Sequence, residues 1–434
     1  MKTEELYSYF LKCTGVTTDT RACSQGALFI ALRGERFNGN QYADDALKAG
    51  CSYAVIDDKA YYDASNDHLL LVDNTLEALQ SLARYHRRQL GTTLIGITGT
   101  NGKTTTKELI AAVLSRKYQT HYTRGNLNNA IGVPLTLLQL NGTHQLGVIE
   151  MGASHPGDIR ELVQIAEPDC GLITNVGRAH LQGFGSFEGV VRTKGELYDF
   201  LRLRDNGFIF LNDNDPHLCG IAQGLQALRY GTGAPKEGKE VGGQVLSCDP
   251  FLRFRWSTLE GDSYDVQTRL VGRYNIDNAL CAIAVGLRFG VQPDDINQAI
   301  SSYEPTNSRS QLLQTAHNTL IVDAYNANPT SMQASLENFE QMNAPRKMVI
   351  LGEMRELGSA SEQEHLHILA LLSKMHLQEV WTVGKQFENP AFPFRHFNDT
   401  DEAAQALQAE QPTDATILIK GSNGVHLSAL IPYL

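Results

Sequence analysis

TTLIGITGTNGKTTTKELIAAVL, residues 92–114, is the stretch that decides the fold. An apolar strand-like run ends in glycine, and a helical pattern follows a Gly-Lys-Thr triplet. Glycines let backbone N–H groups turn toward phosphate oxygens, and a helix N-terminus adds partial positive charge. Lys103 can reach the β- and γ-phosphates, and Thr104 can ligate Mg²⁺. The stretch therefore predicts a phosphate-binding loop, although Gly99 lies nearer the lysine than the first glycine of the usual G-x4-G-K-(S/T) pattern. The alternative is a glycine turn before an amphipathic helix.

Strand-like and helix-like segments alternate on both sides of this loop, which is typical of an α/β protein. The pattern divides into blocks that predict domains at residues 1–90, 91–306 and 307–434. We expect a mostly parallel sheet in the second block, where GVPLTLLQL is read as a helix. The third block offers four strand candidates, TLIVDAY, KMVILGEM, EVWTVG and ATILIKGS, which predict a doubly wound sheet. Functional groups gather beyond the carboxyl ends of parallel strands. Six residues fall there: Gly99, Glu150, Asn175, Asp323, Gly352 and Lys420.

Composition excludes several classes of protein. The 434 residues carry 37 Lys+Arg and 48 Asp+Glu, a formal net charge of −11, which disfavours a nucleic-acid-coating protein. Hydrophobic residues make up 42%, so wholesale disorder is not expected. The seven cysteines are scattered and never spaced CxxC, which favours a reducing compartment over a disulfide scaffold. With no signal-peptide pattern or membrane-length apolar run, we expect a cytoplasmic protein without membrane insertion, and a monomer.

Three further residues are candidate functional groups. Glu150 ends the strand GVIE and could hold Mg²⁺ directly or through water. His180 follows the strand LITNV, and Lys194 comes fourteen residues later on a predicted helix. Each residue has a structural alternative. Glu150 could be a carboxylate in a salt bridge, His180 a structural histidine, and Lys194 an exposed helix lysine.

The motifs together resemble the Mur ligase family, the ATP-dependent amide-bond-forming enzymes of peptidoglycan assembly. The resemblance spans the whole chain and rests on GTNGKTTT, TRGNLNNAIGVP, IEMGASHPGDI, TNVGRAHLQGFGSFEGVVRTKGEL and GRYNIDNALCAIA, which occur in one order. It implies a uridine-nucleotide-binding α/β domain, a central P-loop ATPase domain and a Rossmann-like third domain. VDAYNANPTSM, LGEMRELG and LIKGS resemble the family member that adds D-alanyl-D-alanine to UDP-MurNAc-tripeptide. An Asp-Asn-Pro-Arg motif, expected in the tripeptide-forming relative, is absent from the sequence.

The resemblance also implies roles for individual residues. The ATP-binding residues would be Gly99, Thr100, Asn101, Gly102, Lys103, Thr104, Thr105, Asn275, Asn278, Arg309 and Asp323. The metal ligands would be Thr104, Glu150, His180 and Lys194, the last carbamylated at a second Mg²⁺ site. The catalytic residues would be Lys103, Lys194, His180 and Asn128. The substrate-binding residues would be Thr18, Asp19, Thr20, Arg21, Asn126, Asn129, Tyr325, Asn326 and Asn328.

Some positions depart from the family pattern, and some questions stay open. Tyr274 stands where histidine is common, so we expect the adenine-side packing to differ. Other departures are at Asn38, Asn40, Glu353 and Asn423. Asp323, Glu353 and His365 are options for the general base. We also expect the third domain to close on the second about a hinge near residues 303–307. The alternatives for function are a diaminopimelate-adding or folylpolyglutamate-type ligase, a non-catalytic ATP-binding scaffold and, more weakly, a P-loop kinase.

Overall fold

The computed structural model describes residues 1–35, 37–306 and 309–434. Three sheets, each with its own helices, follow one another along the chain. A β-hairpin of two short strands accompanies the first sheet. This order confirms the predicted three-domain α/β fold. Asn307, the last residue of the expected hinge, and Ser308 lie outside the described residues.

The first sheet is parallel, with strand order β1-β2-β5-β6. Its strands and the accompanying hairpin are β1 Val16–Thr17, β2 Leu28–Ile30, β3 Arg33–Gly34, β4 Phe37–Asn38, β5 Tyr53–Ile56 and β6 Leu69–Leu71. The helices are α1 Thr3–Phe10, α2 Ala43–Lys48 and α3 Thr75–Leu90. The Asn74 side chain accepts a hydrogen bond from the Glu77 N–H at the start of α3, and Gly91 ends the helix in the left-handed conformation. Helix α3 buries Leu79 and Leu82.

The central sheet has nine strands in the order β15-β14-β13-β12-β11-β10-β7-β9-β8. The strands are β7 Thr93–Thr98, β8 Thr120–Tyr122, β9 Leu146–Glu150, β10 Cys170–Ile173, β11 Phe208–Asn212, β12 Gln226–Thr232, β13 Val241–Cys248, β14 Phe251–Thr258 and β15 Ser263–Val271. The helices are α4 Lys103–Leu114, α5 Gly132–Leu137, α6 Asp158–Ala166, α7 Leu181–Phe184, α8 Phe187–Arg202, α9 Pro216–Ile221, α10 Asn275–Arg288 and α11 Pro293–Ser302. Only the β13-β14 and β14-β15 pairings within this described sheet are antiparallel, so the sheet is mostly parallel, as expected.

The third sheet has six strands in the order β16-β17-β21-β18-β19-β20. The strands are β16 Gln311–Gln314, β17 Thr319–Asp323, β18 Lys347–Gly352, β19 Glu379–Val383, β20 Arg395–Phe397 and β21 Thr416–Lys420. The helices are α12 Pro329–Gln341, α13 Ser361–Leu372 and α14 Thr400–Ala409. The four predicted strands are β17, β18, β19 and β21, and all four are parallel. The carboxyl ends of β17 and β21 bring Asp323 and Lys420 together.

No helix in these three described stretches combines the length and apolar character needed to cross a bilayer.

Asp277 lies in the first turn of α10, and burial of its carboxyl makes the stability of the protein depend on pH. One of its oxygens is buried without a hydrogen-bond partner, and burial raises the pKa of Asp277 to about 6. A raised pKa means that the folded state binds this proton more tightly than the unfolded chain. The contribution of Asp277 to the free energy of unfolding therefore falls as the pH rises from about 4 through the folded-state pKa of about 6.

We expect Asp277→Asn to stabilise the protein at pH 8 by about 1–2 kcal/mol, because an uncharged amide avoids the cost of a buried charge. Urea unfolding measures the effect, and repeating it near pH 5 should give a smaller gain. An equal gain at both pH values would contradict the assignment to this carboxyl.

Candidate active site

The predicted phosphate loop joins β7 to α4 and depends on two glycines with positive φ. Gly99 has φ 142° and Gly102 has φ 77°. A Cβ at Gly99 would lie 2.0 Å from the Thr174 hydroxyl, and one at Gly102 would lie 2.5 Å from the Asn278 side-chain oxygen. Only glycine fits either position, so the loop holds its backbone close to the end of β10 and to helix α10. Thr174 Oγ1 also donates a hydrogen bond to the Asn101 carbonyl, which fixes the loop in place.

Lys103 begins α4 and folds back over the loop. Its Nζ donates hydrogen bonds to the carbonyls of Gly99 at 2.8 Å and Thr100 at 2.9 Å. Burial is the largest influence on this ammonium and lowers the pKa of Lys103 to about 8. It remains mostly charged at neutral pH, at the N-terminal end of a helix. Both features favour an anion at this place.

Glu150 lies at the end of β9, directly beside the loop, and is 1% exposed. Thr104 Oγ1 donates a hydrogen bond to its carboxylate at 3.1 Å, and Asn128 Nδ2 donates another at 2.9 Å. The buried Lys107 ammonium lies 3.7 Å from the same carboxylate. A carboxylate and a hydroxyl side by side are the hard oxygen donors that Mg²⁺ prefers. Across the described residues no group of three His, Cys, Asp or Glu side chains forms a metal cluster, so phosphate and water oxygens would have to complete this site.

Lys194 lies on α8 and is buried, with 2% of the residue exposed. Its Nζ lies 3.4 Å from the Ala153 carbonyl and 5.4 Å from the centre of the Phe184 ring. Burial, with the nearby Lys103 charge second, holds the pKa of Lys194 well below its usual range. The exposed helix lysine considered from the sequence is therefore excluded, and burial favours the neutral amine over the ammonium.

His180 stands immediately before α7 with a left-handed backbone, φ 50°. Its Nδ1 contacts the carboxylate of Glu356, which belongs to the third sheet's domain. Burial is the main cause that lowers the pKa of His180, with the Lys103 and Lys194 charges adding to it. A neutral imidazole retains one ring nitrogen with a free lone pair, as a metal ligand requires.

The third domain supplies the opposite wall of the site. The Arg309 guanidinium stacks 4.0 Å from the Tyr325 ring centre, and its buried Nε has no hydrogen-bond partner among the described residues. Asp323 accepts hydrogen bonds from Lys420 at 2.5 Å and from Ser335 at 3.2 Å. The unsatisfied guanidinium N–H suits an anionic ligand.

One cavity of about 730 Å³ joins these two walls. Most of the predicted site residues line it: Thr100, Asn101, Gly102, Lys103, Thr105, Asn126, Asn128, Asn129, Glu150, His180, Asn275, Asn278, Arg309, Asp323, Tyr325 and Asn326. Thr104 and Lys194 lie just behind its wall, through Glu150 and Ala153. Asn328 closes one side, since its Nδ2 donates a hydrogen bond to Asn101 Oδ1 at 2.7 Å across the domain boundary.

Some predicted residues lie outside this cavity, and another stabilises the start of a helix. Thr18, Asp19, Thr20 and Arg21 form a turn in the first domain that is half-buried except for the exposed Arg21, and Asp19 pairs with Arg21 at 2.7 Å. That turn is not part of the described cavity. Asn129 Oδ1 accepts hydrogen bonds from the Ile131 and Gly132 N–H groups at the start of α5.

Two of the three options for a general base lie outside the described cavity. His365 Nε2 accepts a hydrogen bond from the Met354 N–H, and its Nδ1 faces the Ser361 carbonyl. Glu353 accepts a hydrogen bond from the Gln386 N–H. Both side chains therefore hold the third domain's own loops. Asp323 lines the cavity but is paired with Lys420.

Tyr274 links the second and third domains. Its hydroxyl lies 2.7 Å from the hydroxyl of Ser310, the residue after Arg309. Ser310 has φ 51°, a left-handed conformation that costs free energy in a residue with a Cβ. The contact therefore supports the backbone that carries Arg309 into the cavity.

We expect Tyr274→Phe to raise KM for ATP by about 2- to 10-fold with little change in kcat, the effect of losing one net hydrogen bond that acts through Arg309. Steady-state kinetics measure it. Tyr118→Phe is the matched control, because that hydroxyl bonds the Phe289 carbonyl far from the cavity. An unchanged KM in the Tyr274 variant would contradict the supporting role.

The fold and site together define a three-domain α/β protein with a phosphate-binding loop facing an interdomain cleft. Family models match along the chain: the Mur ligase family catalytic domain at residues 12–87, the Mur ligase middle domain at 97–286, and the Mur ligase glutamate ligase domain at 308–423. The UDP-N-acetylmuramoyl-tripeptide–D-alanyl-D-alanine ligase of Bacillus subtilis (strain 168) is 36% identical over 96% of this chain and 92% of that protein. The chain belongs to the Mur ligase family, and it is a ligase.

Solved structures agree with this assignment. MurF from Acinetobacter baumannii superimposes with a TM-score of 0.87 at 31% identity, covering 99% of this chain and 98% of that one. MurF ligase from Thermotoga maritima, solved in complex with ADP, gives a TM-score of 0.85 at 25% identity, covering 98% of this chain and 97% of that one.

Proposed function

We propose that the protein joins D-alanyl-D-alanine to UDP-N-acetylmuramoyl-tripeptide at the expense of ATP. The product would be the UDP-MurNAc-pentapeptide precursor of peptidoglycan, with ADP and phosphate released. One observation carries this proposal: a single interdomain cavity is lined by Lys103, Glu150 and His180 from the second domain and by Arg309 and Asp323 from the third. The relatives named for this reaction support the choice of substrates.

The chemistry explains why such a cavity is needed. A carboxylate is a poor electrophile, because its leaving group would be oxide. Transfer of the γ-phosphoryl group to the tripeptide's terminal carboxylate creates an acyl phosphate, whose leaving group is phosphate. The dipeptide ammonium loses a proton to water and attacks as the amine, and the tetrahedral oxyanion collapses to the amide by expelling phosphate. Both steps gather negative charge, so cations must be in place beforehand.

The chain's own cations meet this requirement in a protein that is anionic overall. The Lys103 ammonium and the loop N–H groups would hold the transferring phosphates. Arg309 would bind phosphate from the third domain through its unsatisfied Nε. Asn128, fixed by its hydrogen bond to Glu150, would orient the acceptor carboxylate near the γ-phosphate. Closure of the two walls around the cavity would keep water away from the acyl phosphate.

The donor set also fits Mg²⁺. Thr104 and Glu150 would hold one ion, and His180 with Lys194 would hold a second. Bound Mg²⁺ supplies Lewis-acid stabilisation of phosphoryl oxygens. We further propose that Lys194 is carbamylated. Its neutral amine can add to CO₂ through the nitrogen lone pair, losing a proton, and becomes an anionic carbamate with two oxygen donors. An ammonium at this place would instead repel a cation.

The remaining predicted residues complete the proposal. Asn275 and Asn278, joined by a 2.8 Å hydrogen bond, would face the adenine. Asp323 would contact the ribose or phosphates, and Tyr325, Asn326, Asn126 and Asn129 would line the peptide side of the cleft. The turn at Thr18–Arg21 would lie by the uridine nucleotide. We propose the domain limits 1–90, 91–306 and 307–434, a monomer, and a cytoplasmic location without nucleic-acid partners.

A phosphate-release screen tests the proposal. Purified protein with ATP, Mg²⁺ and UDP-MurNAc-tripeptide should release phosphate with D-alanyl-D-alanine and not with single amino acids. Release with diaminopimelate or glutamate instead would favour another ligase of the family. ATP binding without substrate-dependent hydrolysis would favour a scaffold.

A further inference from the structure

Glu356 brings a carboxylate of the third domain to the edge of the cleft. It follows β18 in a left-handed conformation, φ 64°, which is unfavourable for a residue with a Cβ. Its backbone carbonyl accepts a hydrogen bond from the Gln182 N–H of the second domain at 3.3 Å. The side chain lines the cavity, is 61% exposed, and contacts His180. The fold thus holds this carboxylate at the point where the two domains meet.

The other four carboxylates that line the described cavity already have fixed partners. Each accepts hydrogen bonds from nearby groups: Glu150 from Thr104 and Asn128, Asp158 from the Ser154 and His155 N–H groups, Glu161 from Gln80, and Asp323 from Lys420 and Ser335. Glu356 has one such contact, through Oε2 to the His180 ring. With 61% of its side chain exposed at the cleft edge, Glu356 is accessible to a ligand that enters there.

The charges that line the cleft indicate which kind of ligand needs a carboxylate at its edge. Lys103, Arg309 and Lys420 line the cavity, and they attract phosphates and carboxylates but repel an ammonium group. A substrate that enters as a primary ammonium needs an anion near its point of entry. We propose that Glu356 binds the ammonium group of the incoming amine substrate, an assignment that rests on the proposed ligase function.

A second cavity supplies room for the rest of that substrate. It measures about 470 Å³ and begins at Leu181 and Leu357, the residues that follow His180 and Glu356. Its walls include these two leucines and Ala360, apolar side chains that suit the methyl groups of a short alanine peptide. An amine held at Glu356 would therefore point toward the reaction cavity while its body occupies this groove.

Glu356→Gln tests the assignment, because it keeps the shape of the side chain and removes its charge. We expect KM for D-alanyl-D-alanine to rise by about 10- to 100-fold, with KM for ATP and for the nucleotide-peptide within about 2-fold of wild type. Glu353→Gln is the matched control, since Glu353 lies three residues earlier and bonds within its own domain. It should keep the wild-type KM for the dipeptide.

Hydroxylamine separates amine binding from activation. It is largely uncharged at neutral pH and attacks acyl phosphates directly, forming a hydroxamate. The Glu356 variant should therefore form hydroxamate at the wild-type rate while its ligation at low dipeptide concentration falls. A wild-type KM for the dipeptide would overturn the assignment. Parallel loss of hydroxamate and ligation would also overturn it, because the residue would then act through His180. If the wild-type protein forms no hydroxamate, the proposed ligase function itself is refuted.

Discussion

Replacing Lys103 with methionine should lower kcat by about 10³-fold, the scale seen when one charge-stabilising donor is removed from an acyl- or phosphoryl-transfer site. The Lys103 ammonium lies between the loop carbonyls of Gly99 and Thr100, where it can turn to the transferring phosphate. Methionine keeps most of the side-chain volume, so folding should survive. Phosphate release with all three substrates measures the effect.

The control for this substitution is Lys374→Met, an exposed lysine of the third domain. It should leave kcat unchanged. Thermal unfolding of both variants should match wild type within a few degrees, which separates a lost charge from lost structure. A Lys103 variant with more than about a tenth of wild-type kcat would contradict the role assigned to the loop.

Substituting Lys194 with alanine should lower kcat by about 10²- to 10⁴-fold, since the proposed carbamate supports a metal-ion interaction worth several kcal/mol. The space left by the side chain should admit small carboxylic acids, and these should restore part of the activity. The assay is turnover with and without such an acid at fixed pH.

Arg192→Ala provides the matched control, because Arg192 is an exposed residue two positions earlier on α8. It should be fully active and indifferent to added acid. Full activity of the Lys194 variant would refute the carbamate proposal. Loss of activity without any rescue would assign Lys194 to packing of the buried face of α8.

The sequence predicts the core of this fold well because its strongest signals are local. The strand, glycine loop and lysine of residues 92–114 predict β7, the loop and the start of α4, and all three are present. The same holds for the four parallel strands of the third domain. Their apolar runs are buried on both faces, and such runs stand out from their surroundings.

The antiparallel strands of the central sheet were not predicted from the sequence. Strands β14 and β15 alternate buried and exposed side chains, with Arg253, Arg255 and Asp265 in an exposed ion-pair cluster. Such half-polar segments resemble loops when only continuous apolar runs are sought, so the sequence analysis did not single them out.

Contacts between residues that are far apart in the chain are the other feature of the site that the sequence did not predict. Lys107 lies one helical turn after Lys103, on the same face of α4. This spacing could have indicated that Lys107 pairs with Glu150. Tyr274 with Ser310 and His180 with Glu356 join residues far apart in the chain, and only the packed domains bring them together. The burial of Lys194 likewise depends on Phe184 and Ala153, which no local pattern links to it.

The central claim is that the acceptor carboxylate is activated by phosphorylation before the amine attacks. Isotopic labelling of that carboxylate with heavy oxygen tests it most directly. The protein, ATP, Mg²⁺, labelled UDP-MurNAc-tripeptide and D-alanyl-D-alanine should yield the pentapeptide by mass, together with inorganic phosphate that carries one labelled oxygen. Pentapeptide formed with unlabelled phosphate, or no pentapeptide from the complete mixture, would contradict the account.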